Sequence, residues 1–330
     1  MKDNFKHKKI VITGGAGTVG SELTFQLQKF NPKRIVLLDN SEYGIHKLLQ
    51  NPRYDKKTSK VILVDIKNYI HLKSVLTEEK PDIIIHAAAY KHLPILQENP
   101  SEAILTNVLA TKNLVELVKE IKPNKFLFIS TDKAVTPSSN LGISKYLAER
   151  LIISQELSKT QFYVVRFGNI LRSSGSVSEV FEGQIKNKLP LTVTDFNVKR
   201  FFIKLENACQ LLLETLAIDV NRGVFIFKMG EPQKVIDLAK EIANSNKLDL
   251  YNDIKVYEIG LKQGEKLNEV LHNEGDKLIK TKHNRILQVI EKSSNLEING
   301  KIDEMIELSK NRMNSMLSQQ INEIIKSLRA

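Results

Sequence analysis

The chain of 330 residues has no tryptophan, one cysteine and only 6% aromatic residues. A single cysteine, Cys209, cannot form an internal disulfide, which excludes a disulfide-framed secreted scaffold and fits a reducing compartment. Its place in an apolar helical pattern assigns it to the core. No apolar run approaches the roughly 18 residues of a membrane span, and the run after Lys9 meets Gly14 too soon for a secretory signal. A cytoplasmic protein without a membrane span is expected. A dense basic block is also missing. The 49 basic and 38 acidic residues leave a net charge of +11, but the lysines are spread along the chain. Lys2, Lys6, Lys8 and Lys9 therefore read as a solvated approach to the first strand, and nucleic acid is not an expected partner. There is no internal repeat, and no metal site is expected.

What is present is alternation. Lys9–Thr13, Arg34–Leu38, Lys60–Val64, Asp82–His86, Lys125–Ser130 and Phe162–Phe167 read as strands. Between them Ser21–Phe30, Ser41–Gln50, Asn68–Thr77, Ser101–Ile121 and Leu141–Leu157 read as helices. Strands separated by helices imply right-handed crossovers and a parallel sheet. The expected fold is an α/β, doubly wound (Rossmann) sheet with a smaller, partly interleaved C-terminal α/β lobe. Residues 1–168 form the expected dinucleotide-binding domain, joined by part of 200–230, and 169–330 form the expected substrate lobe. The last thirty residues carry apolar positions at helical spacing, from Ile302 to Leu328, and are expected to pack on the body or on another subunit.

Between the first strand and first helix lie Gly14, Gly17 and Gly20, spaced GxxGxxG, with Thr18 and Val19. Glycines there permit a tight turn and close approach of a pyrophosphate to the helix N-terminus. The second strand ends at Asp39, nineteen residues after Gly20. A carboxylate there accepts from both adenine-ribose hydroxyls and repels a 2′-phosphate, which favours NAD over NADP; Lys33 or Arg34 reaching over would reverse that preference. Asp65 and Ile66 end the third strand, where Asp65 either faces the adenine edge or caps a helix. Ala87, Ala88 and Ala89 are small where a cofactor must pass closely. Lys91 and His92 follow at the carboxyl end of the sheet, and His92 reads as a substrate contact or a structural histidine rather than a catalytic group.

Beyond these, the chain carries Ser130-Thr131-Asp132-Lys133-Ala134, His86-Ala87-Ala88-Ala89-Tyr90-Lys91-His92, Thr106-Asn107-Val108, Val165-Arg166-Phe167-Gly168-Asn169, Ser173-Ser174-Gly175-Ser176 and Gly264-Glu265-Lys266-Leu267. With these residues the sequence resembles the extended short-chain dehydrogenase/reductases, and within them the UDP-N-acetylglucosamine 4,6-dehydratases of bacterial polysaccharide and glycan biosynthesis. The likeness spans nearly the whole chain, and Thr131-Asp132-Lys133 is its most specific part. Arg172 and Lys262 stand where the pattern has Gly and Arg. Some members carry an N-terminal membrane region; this chain starts almost at the first strand and looks like a soluble form, expected as a homo-oligomer.

The resemblance implies tightly bound NAD, regenerated each cycle, and a UDP-sugar substrate. It implies Lys133 as the base at C5, Asp132 as the acid at O6, and Lys145 and Asn107 at the nicotinamide side. A purely structural Asp–Lys pair is the competing reading. The tyrosine usual four residues before Lys145 is replaced by Leu141. Tyr146 is rotated by about 100° from that position and is no simple substitute. Thr131 is the candidate for the C4 hydroxyl proton. Loss of the tyrosine resembles the subgroup that retains configuration at C5. Asn169, Ser173, Ser174 and Arg200 are expected near the diphosphate and uracil, with Glu265 near ribose, because a diphosphate needs backbone donors and a guanidinium. Two rival functions remain: a nucleotide-sugar 4-epimerase, which would need the missing tyrosine, and a catalytically silent NAD-binding scaffold.

Overall fold

The structure is a computed structural model and describes residues 2–155, 159–292 and 299–328. Strands β1 (Lys9–Thr13), β2 (Arg34–Asp39), β3 (Ser59–Leu63), β4 (Ile83–His86), β5 (Lys125–Ile129) and β6 (Gln161–Arg166) pair in parallel. Helices α1 (Lys2–Phe5), α2 (Thr18–Leu27), α3 (Glu42–Leu49), α4 (Tyr69–Glu79), α5 (Leu93–Glu98), α6 (Pro100–Ile104), α7 (Ala110–Ile121) and α8 (Asn140–Ile153) accompany them. Alternate strand residues feed two cores. Ile10, Ile12, Ile35, Leu37 and Ile85 face one way, while Val11, Val36, Leu38, Ile84 and Phe126 face the other. Both faces are covered, which is why these strands read as apolar runs rather than alternating ones.

The second half divides its elements between two places. Strands β7 (Asn169–Leu171), β8 (Leu191–Val193), β9 (Lys199–Arg200) and β10 (Phe202–Lys204) precede β11 (Arg222–Phe227), β12 (Gln233–Lys234), β13 (Val256–Glu258), β14 (Lys277–Lys280) and β15 (Ile286–Ile290). β11 pairs parallel with β6, and β15 and β14 add antiparallel at that edge, giving nine strands in the order β14-β15-β11-β6-β5-β4-β1-β2-β3. The β1/β4 neighbours form the switch point where open α/β sheets bind ligands. Helices α9 (Val177–Lys186), α10 (Leu205–Thr215), α11 (Val235–Ser245), α12 (Asn299–Lys310) and α13 (Asn314–Ser327) complete the described fold. A separate core of Phe181, Leu191, Val193, Leu238 and Ile242 unites α9, β8 and α11. Buried Cys209 lies in the sheet core on α10. Ile302, Met305, Ile306, Leu317, Ile321 and Ile324 of α12 and α13 join Ile104, Ile143 and Leu147.

Three helix boundaries depart from the expected ones. α2 begins at Thr18 rather than Ser21, because Gly17 takes the extended N-cap conformation. The span Ser101–Ile121 is interrupted by a π-helical turn over Leu105–Leu109. That turn re-aims Asn107, whose amide pairs with Tyr90 N and O (2.9 and 3.1 Å) and donates to Ser144 Oγ (2.9 Å). The helix expected to reach Leu157 ends at Ile153, and Glu156 and Leu157 lie outside the described residues.

His86 ends β4 fully inside the sheet. Thr111 Oγ1 donates to Asn107 O (2.7 Å), so it accepts from His86 Nε2 (3.0 Å), and His86 Nδ1 accepts from Thr13 Oγ1 (2.7 Å). The chain of hydroxyls therefore selects the neutral Nε2–H tautomer. Burial, with the positive Lys145 nearby, pushes the His86 pKa down to about 3. As pH falls below the ordinary histidine value of about 6.5, the unfolded chain takes a proton that the folded one refuses, so stability is lost through that window at about 1.4 kcal/mol per pH unit. Urea unfolding of the wild type between pH 7.5 and 5 should show this slope, and His86→Asn should flatten it; parallel pH curves would remove His86 from the account.

Candidate active site

The turn after β1 is built so that backbone meets backbone. Gly14 has φ +66°, and a Cβ there would lie 2.7 Å from Ala88 Cα; at Gly20 it would lie 2.2 Å from Gly14 O. Ala87 N donates to Thr13 O (3.1 Å) and Ala88 N to Thr13 Oγ1 (3.3 Å), which fixes the alanine run beside the glycine loop. The first-turn amides of α2, at Thr18, Val19 and Gly20, face the helix N-terminus with its positive end of the macrodipole. This flat, amide-lined floor fits a dinucleotide diphosphate.

Asp39 lies beside it at the end of β2. Its oxygens accept from Ala16 N and Ser41 N, both at 2.9 Å, and each keeps a further lone pair for a hydroxyl. Asp65 accepts from Lys67 N (2.9 Å), while the cap of α4 is Asn68, whose Oδ1 accepts from His71 N (3.1 Å). The helix-capping alternative for Asp65 is therefore replaced by Asn68. Ile66 is buried, and its carbonyl accepts from Asn113 Nδ2 (3.2 Å). Ala89 is half-buried at the end of the run. Asn107 spends its amide on Tyr90 and Ser144, so it positions the walls of the site.

The acid–lysine pair sits on a 3₁₀ turn, Asp132–Ala134, immediately beyond β5. In an extended strand neighbouring side chains point to opposite faces. The turn brings them together: Lys133 Nζ lies 3.0 Å from Asp132 Oδ1 and 3.4 Å from Asn169 Oδ1. Thr131 caps the turn, accepting from Lys133 N (3.4 Å) and donating to Asp132 Oδ1 (2.8 Å). Asp132 is fully buried, and its Oδ2 has no hydrogen-bond partner among the described residues. A buried carboxyl oxygen without a partner costs about 1–3 kcal/mol unless a ligand or a proton satisfies it.

Lys145 enters from α8. Its Nζ donates to Ile129 O (2.6 Å) and lies 4.0 Å from the centre of the Phe128 ring. Burial pushes its pKa down to about 7, opposed by the negative Glu149 one helical turn on. Leu141, one turn earlier, is buried with Leu96 and Ala103. Tyr146 packs in the core under α12 and α13 with Arg150 over its ring. Neither supplies a hydroxyl to the cleft.

The loop after β7 closes the other side. Ser174 N donates to Thr18 Oγ1 (3.2 Å), Ser173 Oγ accepts from Lys91 Nζ (3.3 Å), and Gly175 packs directly on the His92 ring. Partial desolvation lowers the pKa values of Lys91 and His92, with the Lys91 charge a second cause for His92. This joins the expected cofactor loop to the expected substrate loop. Arg200 and Glu265 are paired with each other (2.8 Å), and Arg200 also donates to Lys199 O and Leu267 O. Their charged groups are engaged with each other and with backbone carbonyls inside the protein. The segment remains near the Asp132–Ala134 turn, since Lys266 Nζ donates to Val135 O (2.9 Å).

One set of residues carried no sequence expectation: Glu149, Arg150, Arg166 and Glu291. Glu149 accepts from Arg166 Nε (2.9 and 3.1 Å) and from Ser130 Oγ, and Glu291 joins Arg166 and Arg150, each at 2.6 Å. The visible signal was an arginine inside the otherwise apolar run Phe162–Phe167.

Comparison with known proteins gives the family. Residues 10–291 match the family model described as polysaccharide biosynthesis protein. The chain is 41% identical over 82% of its length to capsular polysaccharide biosynthesis protein CapD of Staphylococcus aureus, and covers 46% of that relative. The chain thus spans about half the length of the first curated relatives it matches. It is 30% identical to an inverting UDP-N-acetylglucosamine 4,6-dehydratase of Campylobacter jejuni (82% of this chain, 79% of the relative) and 32% identical to a UDP-glucose 4-epimerase of Rickettsia bellii (81% and 78%). Among solved structures, Pen from Bacillus thuringiensis superposes with a TM-score of 0.80 at 31% identity, covering 92% of this chain and 98% of that one. The NAD complex of the Thermus thermophilus UDP-glucose 4-epimerase shares the fold (TM-score 0.68, 20% identity, 80% and 90% covered).

The glycine floor gives a direct test. Gly14→Ala meets both the Ala88 backbone and a strained φ, and should lower unfolding stability by about 1–3 kcal/mol. Urea unfolding measures it; a variant as stable as the wild type would mean the two segments do not hold each other this closely.

Proposed function

Because the chain belongs to the polysaccharide biosynthesis protein family, within the extended short-chain dehydrogenase/reductases, we propose that it catalyses the 4,6-dehydration of UDP-N-acetylglucosamine with NAD. The product is UDP-2-acetamido-2,6-dideoxy-α-D-xylo-hexos-4-ulose. The observation that carries this reading is the Thr131–Asp132–Lys133 turn, with the orphaned Asp132 Oδ2 in a site where Leu141 offers no hydroxyl. The glycine floor, Asp39 and Lys145 would hold NAD, which when bound accepts the C4 hydride and returns it to C6.

The residues then account for every proton. The C4 hydroxyl proton passes to Thr131 Oγ1 as that hydroxyl gives its own to Asp132 Oδ1, along the existing 2.8 Å bond. Asp132 is now an acid. Lys133, acting as a free amine, takes the C5 proton made acidic by the 4-ketone, and Asp132 delivers its proton to O6 as the C6–O bond breaks. Water leaves, and it contains the proton that Asp132 gained when the C4 hydroxyl was oxidised. Lys133 returns the C5 proton once C6 has its hydride, so both residues end as they began. One base acting from one face retains the C5 configuration.

Similarity to epimerases and dehydratases is nearly equal at 32% and 30% identity, so percentage does not decide between them. The residues do. A 4-epimerase has no use for Asp132 and Lys133 and needs a hydroxyl where Leu141 is buried. Mass spectrometry of purified protein with UDP-N-acetylglucosamine should show loss of one water, and Lys133→Ala should reduce it by at least about 10²-fold while NAD binding persists. An unchanged substrate mass, or a fully active Lys133→Ala, would refute the reading.

A further inference from the structure

A group of four charges, three of them buried, lies behind the catalytic turn, between β6 and α8. Arg166 is 1% exposed, Glu149 0% and Arg150 6%. Glu291, just past β15, bonds both arginines. The two acids are not equivalent. Glu291 touches only the arginines among the hydrogen bonds of the described residues, whereas Glu149 also accepts from Ser130 Oγ, the residue before Thr131, and sits four positions after Lys145 on α8. We propose that Glu149 is a positioning residue for the reaction: it anchors the catalytic turn through Ser130 and sets a negative charge one helical turn from Lys145. The part concerning the turn rests on the dehydratase reading; the part concerning Lys145 does not.

The groups facing Lys145 support this. From its own helix it feels the charge of Glu149, one turn on; from β5 it meets the Ile129 carbonyl and the Phe128 ring; and from β4 the neighbouring group is His86, which is neutral. Glu149 is thus the one carboxylate among the groups that shift it, and it works against burial. A second observation concerns how Glu149 is held. Arg150 Nε and Nη2 and Arg166 Nη1 are buried without hydrogen-bond partners among the described residues, and both arginines line a cavity of about 210 Å³ with Tyr146, Thr136, Asn273 and Glu291. Glu274 and Asp276 also line it, so the cavity is not built for an anion. The remaining guanidinium donors serve the carboxylates beside them, and the fork of Arg166 Nε and Nη2 on Glu149 fixes that side chain through paired, charge-assisted bonds.

The test compares Glu149→Gln, Glu291→Gln and Ser130→Ala in the full chain with NAD. Removing either acid strips the arginines of a partner and should cost similar stability, but only Glu149 touches the turn and Lys145. The titration of Lys145, read by NMR with ¹³C-labelled lysine, should move down by about one pH unit in Glu149→Gln, return most of the way in Glu149→Asp, and stay put in Glu291→Gln. In the water-loss assay kcat should fall about 10- to 100-fold in Glu149→Gln and several-fold in Ser130→Ala with KM little changed, the mark of a group that acts on the transition state. If Glu149→Gln and Glu291→Gln match in both readouts, the role is structural and the proposal fails. If Glu149→Gln does not fold, Ser130→Ala and Glu149→Asp still decide: a kcat in Ser130→Ala equal to wild type would overturn the part concerning the turn, and a Lys145 midpoint displaced by about a full pH unit in Glu149→Asp, despite the retained charge, would overturn the part concerning Lys145. Absence of water loss in the wild type would instead sink the dehydratase reading, and the Lys145 titration would judge Glu149 on its own.

Discussion

The geometry of the candidate active site depends on where β5 stops. Had the strand continued past Ile129, Asp132 and Lys133 would point to opposite faces of the sheet. The 3₁₀ turn winds them onto one side, 3.0 Å apart. The turn is held from several directions. Asp132 N donates to Phe167 O, Thr131 caps from within, Ala134 is locked in the core beneath α12 and α13, and Lys266 reaches Val135. Apart from the Thr131 cap, the restraints come from distant parts of the chain, so the turn is held by tertiary contacts as well as locally.

That distribution explains how much was legible beforehand. Short apolar runs alternating with helical patterns located β1 to β6 within about two residues, because burial on both faces leaves an apolar run that a central strand explains. The glycine loop and Asp39 were visible for a similar reason: their constraint is local. The π turn at Leu105–Leu109 was hidden, since its cause is Asn107 reaching Tyr90 and Ser144 from other elements. The pairing of Arg200 with Glu265 was equally invisible, as 65 residues separate them. Buried ion groups have no period, and Arg166 alone betrayed this one.

Leu141 acquires a physical meaning from its surroundings. It fills an apolar cluster with Leu96 and Ala103, so the position usually given to a tyrosine serves packing here. In the proposed reaction the proton-handling duty then falls to groups already in the turn. Thr131 is the hydroxyl in place, bonded to the carboxyl whose other oxygen is unsatisfied. The absence of a tyrosine and the presence of an orphaned carboxyl oxygen are thus two views of one arrangement.

The central claim is an elimination run by Asp132 and Lys133 in which one base removes and returns the C5 proton. Turnover of UDP-N-acetylglucosamine in deuterated water, followed by NMR of the product, tests it most directly, because the Lys133 ammonium exchanges with solvent while the migrating hydride does not. The account predicts a 4-keto-6-deoxy sugar carrying deuterium at C5 in the D-xylo configuration. An L-arabino product, or a C4 epimer with no deuterium at C5, would contradict it.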